Sequence, residues 1–140
     1  MNANNPVVKL CLEGMRAEGE GRHDEARALF TQAWEAAKDD YDACVAAHFL
    51  ARHQDSPQDT LRWNQEALAR ALAVGDERVQ SLYPSLYLNM GYSYELLGNM
   101  AEARKYYDLA AEGVGDLPEG RYGDAVRKGI AEAHERVKRL

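Results

Sequence analysis

The chain has 140 residues, 46% hydrophobic and 29% charged, a composition that fits a folded domain and excludes a disordered one. A net charge of −6 and an isoelectric point near 5.2 weigh against nucleic acid as a partner, because an acidic surface repels the phosphate backbone. No apolar run approaches membrane-spanning length, and the opening "MNANNPVVKL" lacks the basic region and apolar core of a secretory leader, so no membrane contact and a cytoplasmic location are expected.

Apolar residues recur at helical spacing nearly throughout, and no stretch alternates strictly enough to make a strand, so an all-α fold is predicted. The first helix is expected over 6–18, followed by one over 22–38 after the turn at Gly21. Helices over 41–54 and 57–74 come next, the second opening on Pro57 with Ser56 as its cap. Gly75 closes it. A helix over 77–97 contains Pro84, which either kinks it or marks its true start. Gly98 ends that segment, and helices over 99–113 and 119–139 complete seven. In the last, Tyr122, Val126, Ile130, Ala133, Val137 and Leu140 form one apolar stripe that suits a capping helix. Residues 121–140 hold six Lys or Arg against three Asp or Glu, which complements the dipole at a helix C-terminus; a basic contact patch is the alternative.

One pattern is written twice. "GRHDEARALFTQAW" at 21–34 and "GNMAEARKYYDLAA" at 98–111 share a glycine, an Ala-Arg pair, an aromatic four residues after the alanine and a second alanine three further on. Around the second copy, Tyr87, Met90, Gly91, Tyr94, Ala103, Tyr107 and Ala110 have the spacing of the tetratricopeptide repeat, a helix-turn-helix unit of about 34 residues, and the chain resembles that family. In the first copy Leu10, Glu13, Gly14, Ala17, Ala26, Phe30 and Ala33 stand at these positions, which keeps the second helix well and the first poorly. The middle copy is degenerate, with Cys44, Ala47, His48, Ala51, Thr60, Asn64 and Ala67 at these positions.

The resemblance implies a right-handed superhelical stack of about three helix hairpins with a C-terminal capping helix: one domain over 1–140, with repeats near 7–40, 41–75 and 76–117 and a terminal helix near 119–139. The interval from Thr60 to Ala103 is nine residues longer than that from Ala26 to Thr60, so the helices on either side of Gly75 are expected to overrun their neighbours as a protruding tip carrying Leu72, Val79, Leu82 and Tyr83.

Chemistry is thinly represented. Cys11 and Cys44 are too few for a disulfide framework and are expected reduced and partly buried. Cys44 and His48 share a helix face, but no third ligand stands near, and His48 is expected to be a partly buried, hydrogen-bonded side chain. No catalytic residue, metal or cofactor is predicted. His23 and His134 fall on polar faces, and His53 on a last helical turn.

Tetratricopeptide repeats bind mostly through the concave face lined by the first helix of each pair, which implies a non-enzymatic scaffold or adaptor holding a peptide or helix of another protein. The groove residues expected from this projection are Met15, Phe49, Arg52, Asn89, Tyr92 and Glu95. Two alternatives stand beside it: the last helix folds back over Phe49 and Tyr92, or Arg52 and Glu95 pair with each other. A homodimer built on the tip or the terminal helix is the alternative function.

Overall fold

The computed structural model describes residues 4–138. It is all-α, with no strand among the described residues. Eight α-helices follow in order: α1 (Pro6–Gly19), α2 (His23–Ala36), α3 (Asp40–Leu50), α4 (Pro57–Val74), α5 (Glu77–Gln80), α6 (Tyr83–Leu96), α7 (Met100–Glu112) and α8 (Arg121–Lys138). Short 3-10 turns lie at Ala51–His53 and Val114–Asp116. The predicted last residue of the final helix, 139, and Leu140 of its stripe lie outside the described residues.

Caps fix where most helices begin. Asn5 accepts a 2.8 Å bond from the Val7 amide ahead of Pro6, and Asp39 accepts one of 2.8 Å from Asp42. Ser56 Oγ receives the Asp59 amide at 3.1 Å, the role predicted for it, and Asn99 receives that of Glu102 at 3.2 Å. The ends of α1 and α6 are closed by one device used twice. Gly21 and Gly98 take φ of 79° and 80°, and the next amide bonds back to Ala17 in the first case (2.8 Å) and to Tyr94 in the second (2.9 Å).

The expected helix over 77–97 is cut in two. Pro84 has no amide hydrogen and its ring clashes with the carbonyl four residues back, so the chain makes one turn, α5, and restarts as α6 with the proline in its first turn. Of the two helices that flank Gly75, α4 has 18 residues and α5 only four, so the overrun expected after Gly75 is not made. Val79 is fully buried, whereas Leu72 stays 58% exposed.

The chain forms two compact units, one up to Val74 and one from Gly75. In the first, α1 and α2 pair as a hairpin, α3 and α4 as another, and α3 packs on both α1 and α2. Its core holds Val7, Cys11, Ala26, Phe30, Val45, Phe49 and Leu50. In the second, α6 and α7 pair as a hairpin and α8 lies on both. Leu88, Tyr107, Val126, Ile130, Ala133 and Val137 make that core, so among the described residues the predicted stripe of α8 is buried apart from Tyr122, which keeps much of its surface exposed and donates its hydroxyl to the Ser81 carbonyl at 3.3 Å.

Small residues set the hairpin spacing. A methyl group added at Gly14 would stand 2.4 Å from the Phe30 ring, and one at Gly91 would stand 2.3 Å from Tyr107. The degenerate middle copy keeps the sixteen-residue interval with the sizes transposed: His48 occupies the glycine position and Asn64 the aromatic one. The bulk moves from the second helix to the first, and α3 and α4 still pack as a hairpin.

Candidate functional site

One position of the repeat lies four residues after the glycine or its substitute. It holds Glu18 on α1, Arg52 after α3 and Glu95 on α6. In the first unit Arg52 Nη2 donates to Glu18 Oε1 at 2.6 Å, and His53 Nε2 lies 2.6 Å from Glu18 Oε2, so one carboxylate is gripped by two groups. In the second unit Glu95 receives Arg136 Nε at 3.1 Å and the Tyr107 hydroxyl at 2.6 Å. Arg136, from α8, therefore does for Glu95 what Arg52 does for Glu18. The Arg136 hydrogen bond, with a smaller contribution from Tyr107, holds the Glu95 carboxyl below its ordinary range, while burial followed by the Glu95 bond raises the Tyr107 phenol.

The expected groove residues fall into these two settings. Phe49 is only 7% exposed, stacked on Phe30 with ring centroids 5.0 Å apart and covered by the Arg52 guanidinium, 4.7 Å from its ring. It packs the interior of the first unit and offers little surface to a partner. Arg52 keeps an exposed side chain, and Met15 is 42% exposed on α1, with Leu12 one turn before it at 46%. In the second unit Tyr92 is half-buried beneath Arg136, 5.4 Å from its ring, and its hydroxyl lies close to Gly129 of α8. Asn89 is also half-buried, one turn earlier. The structure thus brings Phe49 and Arg52 together in one unit and Tyr92 and Glu95 together in the other. Arg52 and Glu95 each find a partner inside their own unit. The last helix does fold over Tyr92, whereas Phe49 is covered by Phe30 and Arg52.

The two thiols and His48 lie where burial disfavours their charged forms. Burial pushes Cys11 and Cys44 up to about 12, so both are thiols rather than thiolates at neutral pH. Desolvation, with the nearby Arg52 charge, pulls His48 down to about 4 and leaves it neutral. Among the described residues no group of three or more His, Cys, Asp or Glu is placed to hold a metal ion, and no helix is long and apolar enough to cross a membrane. His134 pairs with Asp108 at 3.1 Å, and His23 stays exposed beside His53.

Sequence reasoning missed the two tryptophans. Trp34 on α2 and Trp63 on α4 belong to second helices, outside the face being projected, and they meet edge to face with centroids 5.0 Å apart. Their signal was composition: they are the only tryptophans in the chain, and each sits beside a core position, Ala33 or Asn64.

Paired helices with a glycine-to-aromatic contact recurring at one interval in each unit make a helical-repeat architecture. Residues 84–112, which span α6 and α7, match the tetratricopeptide repeat family model, and this supports a tetratricopeptide-type repeat protein. Comparison with curated proteins and with solved structures finds no match. Repeats of this type are, in general, protein-interaction modules and typically not enzymes.

Proposed function

We propose that this chain is a cytoplasmic, non-enzymatic adaptor that holds a peptide or helical segment of another protein against the first-helix face of its first unit. The observation that carries this is the exposed pair Leu12 and Met15, three apart on α1, followed one turn later by Glu18 in its pair with exposed Arg52. An apolar strip ending in an arginine is the kind of surface on which apolar and aromatic anchors of a partner gain most. In the corresponding strip of the second unit, Arg136 of α8 covers Tyr92 and holds Glu95, so that strip contributes least to binding in this reading.

The test compares wild-type chain with a Leu12→Glu, Met15→Glu variant as bait in native lysate, both shown to be helical by circular dichroism. A protein held by the first and lost by the second supports the reading. Equal retention by both contradicts it.

A homodimer is the second reading, favoured by Leu96, 72% exposed at the end of α6, and by Leu72 on α4. Sedimentation equilibrium decides it: a mass that stays monomeric at high micromolar concentration removes it.

A further inference from the structure

Trp34 and Trp63 are half-buried rather than enclosed, although an indole has more apolar surface to gain by burial than most side chains. They stand at 88° to each other and wall a cleft of about 550 Å³ whose other sides are Gln54, Asp59, Arg62 and Glu66. A second cleft, about 640 Å³, shares Trp34 and carries Glu35, Asp39 and Asp40 against Lys38 and Arg70. Around the two indoles, five carboxylates therefore face three cations. That balance fits a basic guest and opposes an acidic one.

The protein already shows how this surface handles a guanidinium. Arg70 lies 5.5 Å from the Trp34 ring, with its Nε 2.9 Å from Glu66 and its Nη1 2.9 Å from Asp40. Flat cation on indole, fixed by carboxylates at its edge, is the arrangement that arginine adopts in cation–π recognition. Trp63 has carboxylates at similar places: Asp59 four residues before it, paired with Arg62, and Glu66 three after, bonded through Oε1 to Arg70, on one face of α4.

We propose that the Trp34–Trp63 cleft is a docking site for an arginine or lysine side chain of a basic peptide segment of a partner protein, with the indoles as the stacking surface and Asp59 and Glu66 as counter-charges. The site lies on the second helices, α2 and α4, and does not depend on the first-helix face. Arg62 is its resident competitor. It pairs with Asp59 one turn away, but its side chain is 75% exposed, and an ion pair this open to solvent contributes little, so a guest cation that also stacks on indole displaces it.

Because the chain has no other tryptophan, its intrinsic fluorescence reports on this cleft directly. The probe is an acetylated, amidated Gly-Arg-Gly-Arg-Gly peptide titrated into the full chain, with calorimetry as a second readout. A saturable change in indole emission is expected. It weakens as salt rises from about 0.01 M to about 0.15 M, where screening shortens from about 30 Å to about 8 Å. Trp63→Ala should weaken binding by roughly 2-fold to 30-fold in calorimetry, the range of an indole–cation contact. Asp59→Asn and Glu66→Gln should each weaken it severalfold. Arg62→Gln should strengthen it, a change of opposite sign that general loss of structure does not produce.

Four results overturn the proposal: no saturation at millimolar peptide, equal binding of the glutamate counterpart, equal binding of a neutral proline-rich peptide, or weaker binding by Arg62→Gln. Emission that changes with protein concentration alone also overturns it, because the occupant is then a second copy of the chain.

Discussion

Gly14 and Gly91 occupy the same repeat position, and each lets an aromatic ring from the partner helix lie where a Cβ would otherwise be. Gly14→Ala and Gly91→Ala should each cost about 1–3 kcal/mol by overpacking, measured by urea unfolding, and the two costs should be similar because the contacts are equivalent. These glycines were legible in the sequence because the position recurs with its aromatic sixteen residues on. Phe49 was not. It stands at the same repeat position as Met15 and Tyr92, and nothing in the chain indicates that one of the three turns inward while another stays 42% exposed. The difference comes from Phe30, which lies beside Phe49 and stacks on it.

His48 makes stability depend on pH. Its folded value, about 4, lies below the ordinary 6.5, so between those values the unfolded chain binds a proton that the folded chain refuses. Stability from this group is complete above about pH 6.5 and is lost as the pH falls toward 4, by up to about 3 kcal/mol. Urea unfolding at pH 7 and pH 5 should show wild type losing more than His48→Gln; equal losses would remove the assignment. Cys11 and Cys44 should react slowly with a thiol reagent in the native chain and rapidly in urea, because both are buried and protonated.

At the scale of elements, the charge at one repeat position changes sign from one first helix to the next: Glu18 is answered by Arg52, and Glu95 by Arg136. Helix α8 thus takes the place in the second unit that α3 takes in the first, packing on both helices of the preceding hairpin. Its apolar stripe was readable from spacing alone. Its arginine was not, because the sequence of α8 carries no repeat signature to set the phase. Ending the chain after Leu117 would uncover Leu88 and Tyr107 and leave Glu95 without its arginine. That truncated chain should bind a hydrophobic dye and lose its cooperative thermal transition, as arrays lacking their terminal element do. A sharp transition near the wild-type midpoint would mean that α8 is dispensable to the second unit. The split at Pro84 follows another rule: periodicity continued through it, and only the missing amide hydrogen decided that two helices form instead of one.

For the whole molecule, class was far more legible than partner. Spacing of glycine, alanine and aromatic residues specified a helical repeat, and the family match falls on the copy whose spacing is most complete. The binding face was harder to read, because exposure depends on which neighbouring element covers each first helix. In the second unit that element is α8; on α1, Leu12 and Met15 remain open. The most direct measurement is the amide NMR footprint of a peptide captured by the wild-type chain. The account predicts shifts clustered on Leu12, Met15 and Arg52, with Asn89 and Tyr92 unmoved. Shifts centred on Asn89 and Tyr92, with α1 silent, would contradict it.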